Sequence, residues 1–350
     1  MRVVVTGASG NVGTSVLRAL AEEPAVESVL GLCRRVPDAR FPKTEWRSAD
    51  VARSPLRPLF EGADAVIHLA WLIQPGRDHA TLRSVNVEGS ARVFRATAAA
   101  RVPNLIHASS VGAYAPGPKD RRVDESWPTT GVDSSFYSRH KAEVERLLDR
   151  FEDEHPGARV VRLRPGLIFK RDAASGIRRL FAGPLLPGFL VRRELIPVVP
   201  DHPRLVFQAV HSHDVGQAYR LALLRDVRGA FNVAADPVLD PAELARLLGA
   251  RRVRVPAALL RAGAAASFRL RLQPTEPGWL DMGLAVPLMD AQRAREQLGW
   301  RPARTASDAL LDLLDGMREG DGLDTPPLEP GGAGPARARE FASGVGARTG

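Results

Sequence analysis

The chain has 350 residues and a mass of 37.9 kDa, with 44% apolar and 25% charged residues, which excludes disorder over most of its length. A net charge of +9 suggests nucleic acid, but lysine supplies only four of the 49 basic residues. The arginines are scattered beside acids without interleaved aromatics, so no nucleic-acid surface is expected.

The single cysteine, Cys33, excludes an internal disulfide and a multi-cysteine zinc site. No run approaches the about 18 apolar residues of a membrane helix, and MRVVVTG opens the chain without a signal-like apolar region. A cytoplasmic protein with no membrane partner is expected.

The elements alternate over the first half. A β-branched run, Arg2–Thr6, is followed by a helical stretch over Val12–Glu22. Further strands are expected at Ser28–Cys33, Thr44–Asp50, Ala65–Ala70, Asn104–Ser109 and Arg159–Arg164. Amphipathic helices are expected over Asp78–Ala100 and Ser134–Glu152. Near-continuous apolar strands such as VVVTG and AVIHLA fit a parallel sheet covered on both faces. The expected fold class is therefore α/β, a doubly wound parallel Rossmann sheet.

After Arg164 the periodicity loosens into Gly- and Pro-rich sequence. Residues 1–164 are assigned to the nucleotide-binding domain, with 205–235 returning to its sheet. Residues 165–204 and 236–318 form a smaller substrate-binding lobe. From Glu319 onward large apolar residues almost vanish, and 319–350 is expected to be a disordered tail.

TGASGNVG follows the first strand directly, with Gly7, Gly10 and Gly13 spaced three apart. Gly7 permits a tight turn, Gly10 lets backbone approach a pyrophosphate, and Gly13 allows close packing of the helix that follows. The free N–H groups at that helix start, around Asn11 and Val12, then face the anion. Further along, Tyr137-Ser-Arg-His-Lys141 places a phenol and an ammonium one helical turn apart on one face.

Gly-x-x-Gly-x-x-Gly with Tyr-x-x-x-Lys resembles the extended short-chain dehydrogenase/reductase family, the group of NAD-dependent epimerases and dehydratases. The resemblance covers roughly residues 1–318. It implies catalysis by Ser110, Tyr137 and Lys141, with Ser110 chosen because it lies four residues before Tyr114 in HASSVGAY; Ser109 is the fallback. The cation of Lys141 is expected to lower the Tyr137 pKa and to hold the nicotinamide ribose. Asp50-Val51 resembles the adenine-contacting pair. Leu69-Ala70, Ser109, Pro165 and Ile168 resemble cofactor-lining positions, and Asn86 an asparagine that steadies the central helix. Trp71 stands where the family has a small residue and narrows the pocket.

Family members that bind NAD place an acid after the second strand; here Cys33 is followed by Arg34 and Arg35. A guanidinium suits a 2′-phosphate, so NADP is favoured over NAD, with Arg34 reading the phosphate. The implied partner is a small molecule, either a sugar nucleotide or a carbonyl or alcohol compound. A homodimer is left open as the assembly. Arg178, Arg179, Arg192 and Arg193 are candidates for a pyrophosphate clamp on the substrate.

Three readings stand: an oxidoreductase with exchangeable cofactor, a sugar-nucleotide epimerase with tightly held NAD, and a non-catalytic NAD(P)-binding sensor. The intact Ser110, Tyr137 and Lys141 set argues against the sensor. A 4,6-dehydratase is disfavoured because Val111-Gly112, rather than an Asp-Glu pair, follows Ser110. No metal is expected, since His211 and His213 lack further ligands nearby in sequence.

Overall fold

The computed structural model describes residues 1–74, 76–181 and 196–330. Five strands, β1 (Arg2–Thr6), β2 (Ser28–Cys33), β3 (Thr44–Ser48), β4 (Ala65–His68) and β5 (Asn104–Ala108), form one sheet with the strands Arg159–Pro165 and Gly229–Val233. The spatial order is β3-β2-β1-β4-β5, then Arg159–Pro165, then Gly229–Val233, and every pairing is parallel. This is the doubly wound α/β sheet expected from the alternating pattern.

Successive side chains of a strand point to opposite faces, and both faces are covered. Val3, Val5, Ile67 and Ile106 enter one core, while Val4, Val66 and Leu105 enter the other. Among the helices, α1 (Asn11–Ala21) packs against Ser212–Leu224. That approach needs a glycine: a Cβ at Gly216 would lie 2.6 Å from the Ser15 carbonyl oxygen. The hydroxyls of Ser15 and Ser212 meet there at 2.9 Å.

Two domain assignments need correction. Residues 205–235 return to the main sheet only through Ser212–Leu224 and Gly229–Val233; the strand Ala209–His211 pairs instead with Leu167–Phe169. Gly229–Val233 takes the free edge of Arg159–Pro165. Just beyond that edge, Gly166 lies so close to Gln208 that a Cβ would sit 2.5 Å from its carbonyl oxygen.

Residues 319–330 are not a disordered tail. The helix Ala306–Glu319 ends at the proposed boundary, and residues 320–330 pack back onto the domain. Polar contacts substitute for apolar area. Arg171 pairs with Glu319 and Asp321, and Arg179 donates to the Pro327 carbonyl at 3.0 Å. Leu328 and Thr325 are buried beneath these contacts. Residues 331–350 lie outside the described residues, as do Arg192 and Arg193. No helix among the described residues is long and apolar enough to cross a membrane.

Candidate active site

The glycine loop joins β1 to α1, and its three glycines differ in what surrounds them. Gly7 has φ +70°, and a Cβ there would lie 2.7 Å from the Ala70 nitrogen. A Cβ at Gly13 would lie 2.4 Å from the carbonyl oxygens of both Gly7 and Ala8. Packing therefore explains both. A Cβ at Gly10 would meet only the Gly7 carbonyl oxygen, at 3.4 Å, so packing within the chain does not require glycine there.

The loop also holds a buried acceptor, Asn11 Oδ1, that finds no hydrogen-bond partner among the described residues. The Asn11 amide nitrogen donates across to the Ile168 carbonyl at 3.2 Å, which ties the loop to the segment after Pro165. Open backbone at Gly10 and the free N–H groups of α1 fit an anionic pyrophosphate, and the orphaned Asn11 oxygen, an acceptor, fits a hydroxyl donor of the same dinucleotide.

β5 ends at Ala108, and the two serines after it diverge. Ser110 Oγ accepts from the Gly112 nitrogen at 3.0 Å and lies beside the Tyr137 phenol, whose pKa it lowers. Ser109 instead donates to Glu145 Oε1 at 2.5 Å. The hydroxyl of Ser109 is thereby committed to a buried charge network, which leaves Ser110 facing Tyr137.

Tyr137 and Lys141 lie on the helix Phe136–Glu154, capped by Ser135, whose Oγ accepts from the Ser138 nitrogen. The turn 111–113 runs directly under the phenol: a Cβ at Gly112 would lie 2.8 Å from Tyr137 Cε1. Lys141 is buried, and its ammonium donates to the Ala108 carbonyl at 2.7 Å. It sits 3.4 Å from the centre of the Trp71 ring and 5.8 Å from that of Tyr137.

The expected effect of Lys141 on Tyr137 is not realised in this geometry. Burial pushes the phenol up to about 12 against the opposing Ser110 hydrogen bond. Burial likewise brings Lys141 down to about 7, opposed by Glu145. Desolvation outweighs pairing because the ammonium is spent on a carbonyl and an indole rather than on the phenol oxygen.

Trp71 lies against both Lys141 and Tyr137. Its ring covers the Lys141 ammonium and meets the Tyr137 ring edge-on at 5.9 Å, and its buried Nε1 finds no partner among the described residues. Trp279 lies against the Tyr137 ring at 4.7 Å, and Met282 and Val132 pack beside it. Sequence reasoning missed Trp279 and Met282, since they come from a distant segment in which it read no element.

The remaining positions follow. Asp50 and Val51 sit past β3: Asp50 Oδ1 accepts from the Ala52 nitrogen at 2.9 Å, and Val51 is buried. Leu69 and Ala70 follow β4 against the loop, with the Leu69 nitrogen donating to the Thr6 carbonyl at 3.1 Å. Asn86 lies in a π-turn, 84–88, and pins the chain after β4 through two bonds to Leu72 of 2.7 and 2.8 Å. It therefore fixes the loop carrying Trp71. Pro165 is buried, and Arg34 is exposed at the end of β2. Burial raises the Cys33 thiol, as expected of a residue closing a buried strand. His211 contacts Asp312 at 3.2 Å, and His213 contacts Arg18 at 2.9 Å.

Two buried ionic residues were not anticipated. Glu145 stands two turns beyond Tyr137 on the same helix face, a spacing that could have revealed it. Lys170 follows the strand Leu167–Phe169 and is 1% exposed.

An uncharacterized protein of Mycobacterium tuberculosis is 28% identical over 326 residues, covering 92% of this chain and 31% of the relative. The chain thus spans about a third of that relative's length. The L-arabinose 1-dehydrogenase (NAD(P)(+)) of Haloferax volcanii is 29% identical over 226 residues, covering 59% of this chain and 86% of that protein. The UDP-glucuronic acid 4-epimerase of Bacillus cereus, solved with UDP-glucuronic acid and NAD, superposes with a TM-score of 0.66 at 17% identity. That superposition covers 91% of this chain and 99% of the epimerase, and it supports the fold. The family model for the NAD dependent epimerase/dehydratase family matches residues 3–234, and the chain belongs to that family.

Proposed function

We propose that the chain is an NAD(P)-dependent oxidoreductase acting at a carbonyl or hydroxyl carbon. The observation that carries this reading is the convergence of Ser110 and the Tyr137 ring on Gly112, with Lys141 one turn along the same helix. Ser110 holds the substrate oxygen, and Tyr137 exchanges a proton with it. A phenol held near 12 is protonated at neutral pH, which suits it to donate its proton to a carbonyl oxygen. A nicotinamide cofactor supplies the hydride donor or acceptor when bound.

The pyrophosphate falls to Gly7, Gly10, Asn11, Val12 and Gly13, and the adenine to Asp50 and Val51. Leu69, Ala70, Ser109, Pro165 and Ile168 line the remainder, Ser109 through its backbone because its hydroxyl is committed. Lys141 holds the nicotinamide ribose. The substrate is a small carbonyl or alcohol compound or a sugar nucleotide. An epimerase with tightly held NAD remains the second reading, because returning the hydride needs no residue beyond Ser110, Tyr137 and Lys141.

The absorption spectrum of the purified protein separates the two. A reductase should emerge empty and bind NADPH reversibly, whereas an epimerase should carry tightly bound NAD(H). Failure to bind either dinucleotide would sink both.

Two variants test the cofactor assignments. Gly10→Val should abolish dinucleotide binding by calorimetry with circular dichroism unchanged, since the added bulk meets open space rather than the chain. Unchanged affinity would remove the loop from the site. NADP is favoured over NAD through Arg34. Arg34→Ala should weaken NADPH by about 1–3 kcal/mol, the loss of a charge-assisted hydrogen bond, and leave NADH almost untouched. Equal losses for both would show that Arg34 does not read the 2′-phosphate.

A further inference from the structure

Lys170 is a buried cation in an unusual position. Its ammonium enters the first turn of α1 and donates to the Asn11 carbonyl at 2.9 Å, Thr14 Oγ1 at 2.6 Å and Ser15 Oγ at 3.2 Å. All three N–H donors are thus used on neutral oxygens. A buried charge normally requires an ionic partner, because desolvation costs several kcal/mol.

Among the described residues no carboxylate forms an ion pair with it. Asp172, the nearby acid, is paired with Arg18 at 2.9 Å, and the same Arg18 nitrogen meets His213 Nε2 at 2.9 Å. Burial, followed by His211, Lys170, Arg18 and Arg304, holds His213 at about 4, so it is neutral at neutral pH. His211, one step further out, rests on Asp312. Arg18 and Asp172 cancel, and Lys170 is left as excess positive charge. The free N–H groups of α1 add the positive end of a helix dipole to the same turn. Two positive features crowd one turn, and what would relieve them is an anion at the glycine loop.

We propose that Lys170 is a positioning residue for the dinucleotide, a built-in cation that braces the first turn of α1 and offsets the pyrophosphate charge at the glycine loop. This rests on the cofactor reading of that loop.

The braces explain the geometry: Lys170 fixes Asn11, Thr14 and Ser15 in the first turn of α1, so the turn that follows the glycine loop is held in shape by a residue far along the chain. They also predict a pH dependence. Burial, opposed by Asp172 and reinforced by Arg18, brings Lys170 down to about 7, so the free protein near neutrality holds both charged and neutral forms. An anion nearby favours the charged form, so binding draws a proton onto the lysine. Affinity is therefore greatest where Lys170 is already charged and falls as pH rises through and above its free value.

ADP-ribose is the probe, because it carries the pyrophosphate without nicotinamide or a 2′-phosphate. Between about pH 6.5 and about pH 8.5 its Kd should weaken about sixfold, most of the tenfold linkage of a one-unit rise in the lysine pKa. Calorimetry in two buffers of different ionisation heat should show proton uptake near neutrality. Lys170→Met should bind at the wild-type high-pH limit with a flat profile. Lys170→Arg, charged throughout, should be flat as well. Wild-type binding without pH dependence or proton uptake would overturn the proposal whether or not the variants fold, and so would a slope retained in Lys170→Met. No ADP-ribose, NADH or NADPH binding at any pH would overturn the cofactor reading itself, and this proposal with it.

Discussion

Tyr137→Phe should lower turnover by about 100- to 10,000-fold, the usual contribution of general acid–base catalysis, while melting temperature and cofactor affinity stay near wild type. The substitution removes one oxygen and keeps the ring. The ring makes most of the contacts: Trp279 lies 4.7 Å away, Trp71 meets it edge-on, and Gly112 passes beneath it. Ser110 loses its contact with the phenol but keeps the Gly112 nitrogen at 3.0 Å. Packing should thus survive while the proton donor is lost. The wild-type profile has its own signature. In the reductive direction kcat/KM should fall as pH rises through about 7, where Lys141 loses its proton, and Tyr137 should add no ionisation until far higher pH. A panel of sugar nucleotides and small carbonyl compounds must first identify a substrate. If Tyr137→Phe then turns it over at the wild-type rate, the phenol is structural and the catalytic assignment fails.

The parallel sheet was legible because its strands are apolar on both faces and end in small residues, so Val3 to Val5 and Ala65 to His68 could be placed within a residue or two. The site was legible wherever a local spacing carries it, as in Gly7-Gly10-Gly13 and Tyr137-Lys141. Residues recruited from far along the chain were not. Trp279 and Met282 reach Tyr137 from about 140 positions away, and Lys170 reaches α1 from a Gly- and Pro-rich stretch with no period to read. The environment of Tyr137 was misjudged for the same reason: a spacing of four puts Lys141 on its face of the helix, but Trp71 and Ala108 decide where the ammonium points. The segment 320–330 was misjudged because its order comes from arginine contacts rather than apolar area. The strand Ala209–His211 was assigned to the wrong sheet because β-branched residues report a strand and not its partner.

Glu145→Ala should cost about 3–5 kcal/mol of folding stability, the range for removing one partner of a buried ion pair. Glu145 is the shared anion of two guanidinium groups. Arg164 reaches it in a fork, Nε to Oε1 at 2.8 Å and Nη2 to Oε2 at 3.0 Å, while Arg162 Nη1 reaches Oε2 at 2.9 Å. All three side chains are at least nine-tenths buried. Truncation would strand Arg164 with only the Tyr114 hydroxyl and the Glu125 carbonyl, whereas Arg162 keeps Asp149 and Glu152 at the rim. The cost should therefore come mainly from Arg164. Burial pushes the Glu145 carboxyl up, but the Arg164 hydrogen bond, the two guanidinium charges and the Ser109 hydroxyl outweigh it and hold the group at about 2. A depressed folded pKa contributes stability that is complete above the unfolded carboxylate value, near 4.3, and is lost as pH falls from there toward 2. Denaturant melts should accordingly show the gap between wild type and Glu145→Gln narrowing across that acid range and constant above it. Because Glu145 also takes the Ser109 hydroxyl, its loss should leave that hydroxyl free at the end of β5, next to Ser110. Residual activity in the variant should then fall through substrate positioning, as a rise in KM at temperatures where the fold holds. A variant as stable as wild type, with an unchanged acid profile, would show that solvent or neighbouring acids already neutralise Arg164 and that the network carries no stability.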